Sequence, residues 1–107
     1  MTSSARGSDP SLFTVVLNQP VQERLAIEAR AWELLHEGEK SQLPDEVNAA
    51  VEQLAHHPYI GTRARRGRLR KLHLRRTGFV LMYEVKPRLR IVSIKALHPD
   101  AGLAHRR

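Results

Sequence analysis

Two histidines and a dense set of basic side chains are the residues of this sequence that could do chemistry. His73 stands between Lys71 and Arg75, and His98 follows a long apolar run. An imidazole beside several cations can move a proton while the cations stabilise negative charge that develops on a phosphate. His73, His98, Arg75 and Lys71 are therefore candidate catalytic residues. The alternative is that both histidines are surface residues without a role in a reaction.

The basic residues concentrate in one stretch of the chain. Residues 61–90 hold eleven of the eighteen lysines and arginines and one acid, a net charge of +10, whereas the rest of the chain sums to −3. Such a cluster is typical of surfaces that contact phosphates or an acidic partner. The candidate target-binding residues are Arg63, Arg65, Arg66, Arg68, Arg70 and Arg76, together with Tyr83, whose hydroxyl could reach a partner.

Other kinds of site find little support. The chain has no cysteine, so it has neither a disulfide nor a thiolate metal site. His56 and His57 are adjacent, which turns them about 100° apart on a helix and makes them a poor metal-binding pair. The segment GTRARRG lacks the Lys-Ser/Thr ending of a phosphate-binding loop. We expect no cofactor and no metal.

The length and composition predict one domain in the cytoplasm. With 107 residues the chain can bury a modest core, and an aromatic share of 5% is too low for base stacking to dominate any nucleic-acid binding. No apolar run approaches the roughly 18–20 residues of a membrane span, and the first residues lack the apolar core of a signal peptide. We expect a domain at 12–100, preceded by a flexible segment, 1–11, and followed by a tail, 101–107.

One predicted strand and two predicted helices precede the cationic stretch and help to position these residues. Residues 12–17 (LFTVVL) predict a strand buried on both faces. Apolar residues at helical spacing predict a helix over 21–37, stopped near Gly38, and a second helix that opens at 41–44 and ends at Pro58. The predicted buried stripes are Val21, Leu25, Ala29, Trp32 and Leu35 or His36 in the first helix, and Val47, Ala50, Val51, Leu54 and Ala55 in the second. Residues 19–57, which comprise the two helices and their connection, carry eight acids against three bases, so one side of the molecule should be acidic.

Alternating apolar residues predict a meander of three strands after the helices. The strands cover 68–75, with a β-bulge between Leu69 and Leu72, then 79–85 and 89–97. The last is apolar on both faces and therefore central. The predicted fold class is α+β in the order β-α-α-β-β-β, with a helical hairpin packed on one face of a small, mainly antiparallel four-stranded sheet. The other face should remain open to solvent or to a partner.

This order of elements resembles the RelE/ParE superfamily of toxins from bacterial type II toxin–antitoxin pairs. The resemblance covers about residues 12–98 and depends on element order and spacing. The matching segments are Pro58 and Gly61, RKLHLR at 70–75, Gly78-Phe79, Tyr83-Glu84-Val85 and IVSIKALH at 91–98. It implies a protein that blocks bacterial growth and is held inactive by an antitoxin. ParE-like members act on DNA gyrase, and RelE-like members cleave mRNA in the ribosomal A site.

The chain matches the ribonuclease branch of this superfamily in part. Lys71, His73 and Arg75 match the basic residues that the second strand supplies there. Val80 stands where arginine is frequent, and Pro99-Asp100 stands where basic residues are expected.

The C-terminal catalytic tyrosine of that branch is also missing, although His98 could take its place. We therefore expect DNA gyrase as the target. Metal-independent, ribosome-dependent cleavage of mRNA is the alternative, followed by a non-catalytic nucleic-acid-binding module and a partner-binding domain.

Overall fold

Two helices pack on one face of a mixed sheet. The structure is a computed structural model that describes residues 12–65 and 67–100. The elements, in chain order, are β1 (Thr14–Leu17), α1 (Gln19–Leu35), α2 (Leu43–His56), β2 (Thr62–Arg63), β3 (Leu69–Leu74), β4 (Phe79–Lys86) and β5 (Ile91–Pro99). The predicted α+β class is confirmed. The segments at 1–11 and 101–107, predicted to be flexible, lie outside the described residues.

The described residues form a sheet of five strands, in the order β1-β5-β4-β3-β2. The prediction of four strands is therefore wrong. The additional strand is β2, two residues that the sequence placed in a cationic loop and that pair with Lys71 and Arg70 of β3. Strands β3, β4 and β5 form the expected antiparallel meander, and β1 runs parallel to β5.

Strand β1 lies at the edge of the sheet and is not buried on both faces. Thr14 and Val16 are exposed, whereas Val15 and Leu17 pack against the core. The prediction of a fully buried strand is wrong because the helices cover only one face of the sheet and β5 is the only neighbour that the described residues give to β1. A short apolar run does not reveal which of its residues a helix will cover.

The predicted β-bulge is also misplaced. Strands β3 and β4 pair residue for residue from Leu69 opposite Glu84 to Leu74 opposite Phe79. The irregularity lies between β4 and β5, where Lys95 is the extra residue. The alternation in β3 looked broken because Leu69 faces away from the helices and a cationic residue, Arg70, faces toward them.

The last strand begins later than the sequence suggested. Leu89 and Arg90 belong to the turn before β5, and Arg90 has a φ of 56°, in the left-handed region. A backbone in that region does not continue a strand. β5 has a neighbour on each side, as predicted for this strand.

The two helices differ in how much they bury. In α2, Leu43, Val47, Ala50 and Leu54 are buried, and they follow the predicted helical stripe. In α1, Val21 is the one fully buried residue.

The second half of the stripe predicted for α1 is not covered. Trp32 and Leu35 are exposed, and the Trp32 ring stacks on His36. The start of the helix is held at β5, where the Asn18 amide donates to the carbonyl of Ile94.

The core lies between the helices and the alternate residues of the strands that face them. Leu81, Tyr83, Val92 and Ile94 supply the sheet side of this core, and Leu54 is among the residues that supply the helix side. Each fully buried side chain of this size contributes on the order of 1.5–3 kcal/mol relative to an exposed one. We call this side of the sheet the covered face and the opposite side, over which no helix of the described residues lies, the open face.

Candidate functional site

Three of the four candidate catalytic residues lie together on the open face. Lys71 and His73 are alternate residues of β3 and therefore project from the same side of the strand. The register places His73 opposite Val80 of β4, and Val80 opposite His98 of β5. The two histidines thus lie in one row across three strands, with Val80 between them.

His73 is paired with an aspartate that the sequence analysis did not name as a site residue. The His73 Nδ1 lies 2.9 Å from the Asp100 Oδ2, and the Asp100 amide donates to the carbonyl oxygen of Gly78 at 2.8 Å. This backbone bond holds the residue after β5 beside the turn between β3 and β4. The carboxylate therefore orients the imidazole and leaves Nε2 as the ring nitrogen that faces a ligand.

Asp100 could have been found only with the pairing register in hand. In the sequence, Asp100 was noted only because an acid stands where the resemblance leads one to expect a basic residue after the last strand. The register sets Pro99 opposite Phe79. It thereby brings the next residue to His73, which is 27 positions away in the chain.

His98 is exposed and has one local contact. Its Nδ1 lies 3.1 Å from the carbonyl oxygen of Pro99. Because a carbonyl oxygen only accepts, this contact requires the Nδ1 nitrogen to carry the hydrogen. In His98, as in His73, Nε2 is then the nitrogen directed to a ligand.

The remaining candidate cations lie beyond the two ends of β3. Arg75 and Arg76 are exposed in the turn between β3 and β4, and Arg63, Arg65 and Arg68 are exposed in or beside the loop before β3. Within residues 12–65 and 67–100, none of these five side chains has an ion-pair partner. Free guanidinium groups at the margin of a sheet can bind phosphates without first losing an internal partner. Arg66 lies outside the described residues.

Arg70 is directed to the covered face and serves the fold. Its Nη2 donates to the carbonyl oxygens of Gly61, at 2.9 Å, and of Tyr59, at 3.2 Å. The guanidinium carbon also lies 5.3 Å from the centre of the Tyr59 ring. These contacts brace the chain between α2 and β2, so Arg70 is not grouped with the exposed arginines.

Tyr83 is likewise part of the core and not of the surface. Its side chain is 0% exposed, and its hydroxyl accepts the amide hydrogen of Gly61 at 2.8 Å. The structure thus places the hydroxyl that was named as a target contact where a partner cannot reach it. The spacing of Phe79 and Tyr83 already indicated that both face the same side.

Glu46 of α2 holds the turn that carries two of the exposed arginines. Its carboxylate accepts from the amides of Arg76, at 2.8 Å, and Thr77, at 3.0 Å, and from the Thr77 hydroxyl, at 2.8 Å. The sequence indicated only that an acid in the first turn of α2 suits the helix dipole. No pattern in the chain connects residues 30 positions apart, so this contact was missed.

A groove runs between α2 and the edge of β3. It has a volume of about 380 Å³ and is lined by Asp45, Glu46, Ala49, Ala50, Gln53, Leu72, His73, Leu74 and Arg76. β2 pairs only with Arg70 and Lys71, so in the described part of the chain the edge of β3 from Leu72 to Leu74 has no neighbouring strand. Such an edge presents backbone donors and acceptors to an incoming strand.

Two further observations bear on the kind of site. Among the described residues, no helix has the length and hydropathy needed to cross a membrane. The same residues contain no cluster of three or more histidines or acids arranged to hold a metal ion.

No protein-family model matches the chain, and no curated protein or solved structure is significantly similar to it. The interpretation of the site therefore depends on the chemistry and placement of its own residues.

Proposed function

We propose that this chain is the toxin of a bacterial type II toxin–antitoxin pair and acts in the cytoplasm on a machine that handles nucleic acid. One observation carries the proposal: Lys71, His73 and His98 share the open face of the sheet, and the turn after β3 carries the exposed Arg75, which has no ion-pair partner among the described residues. Six of the eleven acids of the chain lie in α1 and α2, and on the open face Glu84 and Asp100 offset only part of the cationic charge. This arrangement suits a phosphate-bearing target.

The geometry favours cleavage of mRNA on the ribosome over inhibition of DNA gyrase. Two imidazoles beside an ammonium group form an acid–base set that gyrase inhibition does not require. The Asp100 carboxylate beside His73 supports this interpretation, since it orients the ring. Gyrase inhibition remains the second candidate, because Val80 and Pro99 occupy positions where the ribonuclease branch has cations.

The free edge of β3 is the place we propose for the antitoxin. An extended segment could add a strand beside Leu72 and Leu74 and lie in the groove under α2. A strand there would lie next to His73 and the turn of Arg75 and Arg76. The antitoxin would then block the site from the edge of the sheet.

Induced expression of the chain alone in bacterial cells tests the proposal. We expect growth arrest for the unmodified chain, a loss of arrest for Arg75→Ala, and rescue when the antitoxin gene is co-expressed. Arg30→Ala is the matched control, because Arg30 is an exposed arginine on α1, remote in sequence from the cationic stretch. Normal growth at verified soluble expression would contradict the proposal and leave a non-catalytic binding module.

The target is identified in the same cells. Mapping of transcript 5′ ends should show new ends within translated codons if mRNA is cut. Induction of the DNA-damage response without new transcript ends would instead identify gyrase.

A further inference from the structure

We propose that the outer edge of β1, the side that faces away from β5, pairs with the same edge of a second copy of this chain. The pairing is antiparallel and centred on Val15, and it joins the two sheets into one. This edge lies at the opposite end of the strand order from the edge proposed for the antitoxin. The inference does not depend on the proposed function.

Strand β1 bonds to its neighbour through alternate residues. The Thr14 amide donates to the Arg90 carbonyl at 2.9 Å, and the Asn18 amide donates to the Ile94 carbonyl at 3.2 Å. Because the C=O and N–H of a trans peptide point in opposite directions, the carbonyls of residues 13 and 17 face the outer edge. The amide and carbonyl of Val15 face it as well, since hydrogen-bonding directions alternate along a strand.

The outer edge presents backbone groups of Phe13, Val15 and Leu17. Two of these groups already have partners in the same chain: the Phe13 amide donates to the Ala55 carbonyl at 2.9 Å, and the Leu17 carbonyl accepts from the Gln22 side chain at 2.9 Å. Four groups are left, namely the Phe13 carbonyl, the Val15 amide and carbonyl, and the Leu17 amide. Within residues 12–65 and 67–100, none of these four has a hydrogen-bond partner.

These four groups are complementary to the same four groups of a second copy. With the two Val15 residues opposite each other, each Val15 amide donates to the Val15 carbonyl of the other copy, and each Leu17 amide donates to the Phe13 carbonyl of the other copy. The groups that already have internal partners then face each other and need no further bond. A register shifted by two residues would instead set the Val15 amide opposite the Leu17 carbonyl that Gln22 already occupies.

The side chains of β1 fit this register. On the covered face, Phe13, Val15 and Leu17 are partly buried against the core, and pairing sets Phe13 beside Leu17 and Val15 beside Val15. On the open face, the exposed Thr14 of each copy lies opposite the exposed Val16 of the other. Cross-strand pairs of β-branched and apolar side chains stabilise a sheet.

The charges of the two sheet edges also favour β1. Proteins block an exposed edge with charged side chains, proline or a bulge. Segment 12–17 has no charged residue and no proline, and β1 pairs with β5 without an irregularity. The opposite edge carries Arg63 in β2 and Lys71 and His73 in β3, so two copies would bring like charges together there.

Pairing about a two-fold axis uses the outer edges of both copies and leaves none for a third. The joined sheet has the five described strands of each copy, with the two β1 strands at its centre. The helices of both copies lie on one side of this sheet, and the two open faces form one surface on the other side.

Sedimentation equilibrium of the full chain tests whether it dimerises. Interfaces below about 1,200 Å² are weak, so the measurement extends from about 10 µM to about 1 mM. We expect a monomer–dimer equilibrium without larger species. Assemblies larger than a dimer would overturn the two-fold pairing. A chain that stays monomeric would also overturn it and would leave the edge to a strand of another protein.

Cysteine cross-linking tests the register, because the chain has no cysteine of its own. In the proposed register the Cα atoms of Thr14 and the opposite Val16 lie about 4.5 Å apart, within the range of a disulfide. The two Thr14 residues, or the two Val16 residues, lie roughly 8 Å apart, beyond that range.

An equimolar mixture of Thr14→Cys and Val16→Cys chains should therefore form cross-linked dimers on mild oxidation, at least about 10-fold more than either variant alone. Both substitutions are at exposed positions, so they leave the core unchanged. Equal cross-linking of the separate variants, or none in the mixture, would overturn the register.

A proline at the centre of the edge tests the hydrogen bonds. Val15→Pro removes an amide hydrogen that has no partner in the monomer, and proline is tolerated on an edge strand. It should weaken dimerisation by about 10- to 100-fold, because two of the four intermolecular bonds are lost. Val15→Ala is the matched control, since it shortens the same side chain and keeps the amide. Equal dimerisation of the two variants, both folded by circular dichroism, would overturn the proposal.

Discussion

The two faces of the sheet use the same strands for different purposes. In β4, Leu81 and Tyr83 face the helices and are 0% exposed, whereas Met82 and Glu84, which alternate with them, face the open side. In β5, Ile94 is buried in the core and its neighbour Lys95 is exposed. Because side chains alternate along a strand, residues that are adjacent in the chain belong either to the core or to the surface of the open face.

The same division separates residues of one chemical type. Arg70 and Arg75 lie five positions apart in one cationic stretch, and both were predicted to contact the target, Arg70 as a binding residue and Arg75 as a candidate catalytic residue. Arg70 faces the covered side and is bonded to the backbone of the α2–β2 connection, whereas Arg75 is exposed in a turn. Charge density therefore indicates a surface, but the pairing register decides which cations belong to it.

The largest test of this comparison uses two adjacent residues of β5. Ile94→Ala should lower the free energy of unfolding by about 2–5 kcal/mol, because it removes a fully buried side chain and leaves a cavity. Lys95→Ala should change it by less than about 1 kcal/mol, because its ion pair with Glu84 is long and partly exposed. Urea unfolding followed by circular dichroism measures both. Equal losses of unfolding free energy in the two variants would mean that the two faces of the sheet contribute equally to stability.

Loss of the contact between the Gly61 amide and the Tyr83 hydroxyl should have the next largest effect on stability. Tyr83→Phe removes the acceptor of the Gly61 amide and should cost about 1–3 kcal/mol. Gly61→Ala should cost a similar amount or more, because its added carbon would lie 2.5 Å from the Lys71 carbonyl oxygen and 2.7 Å from the Tyr83 hydroxyl. Differential scanning calorimetry measures the melting temperatures. Phe79→Leu serves as a control, because it changes an aromatic side chain on the same face of β4 that has no hydroxyl to lose. Unchanged melting of Tyr83→Phe would contradict the assignment.

Glu46 connects α2 to the turn that carries Arg75 and Arg76. Glu46→Ala should cost about 1 kcal/mol, because the amides of Arg76 and Thr77 can be rehydrated once the carboxylate is gone. Hydrogen exchange at those two amides should become faster while exchange in β5 is unchanged. Asp45→Ala is the matched control, an exposed acid in the same turn of α2. Exchange that increases equally across the sheet would show that Glu46 stabilises the whole fold and not the turn.

The smallest expected effect on stability belongs to Arg75. Arg75→Ala should change the free energy of unfolding by no more than about 0.5 kcal/mol. It should nevertheless weaken binding to an RNA oligonucleotide and reduce the slope of log affinity against log salt by about 1. Arg70→Ala should do the reverse, with a clear loss of stability because its bonds to the Gly61 and Tyr59 carbonyls are lost. Fluorescence anisotropy at several salt concentrations measures the binding.

Local patterns predicted the elements well and their assembly less well. The stripe of α2 and the meander after it follow from the spacing of apolar residues, because most of the regularly spaced apolar residues pack in the core. The stripe of α1 failed at Trp32 and Leu35, since spacing indicates which residues could be buried but not whether another element covers them. Strand β2 was missed because two residues give no periodicity.

For the site, the sequence identified residue types and the structure supplied their neighbours. Lys71, His73 and His98 were named from their types and local context. Their common row depends on the register of three strands, and Asp100 joins them through contacts with residues far away in the chain. Tyr83 and Arg70 were misjudged as surface residues because their partners lie in the segment around Gly61, which has no recognisable pattern.

The parallel pairing of β1 with β5 has a consequence for synthesis on the ribosome. Strand β1 is synthesised before the other described strands, but it can pair only after β5 has been synthesised, since β5 is its neighbour in the described sheet. The 73 residues of 18–90 separate the two strands, and at roughly 5–20 residues per second their synthesis takes about 4–15 s. His98 is the next-to-last residue of β5. A nascent chain therefore has an incomplete sheet and an unassembled histidine row until β5 has been synthesised.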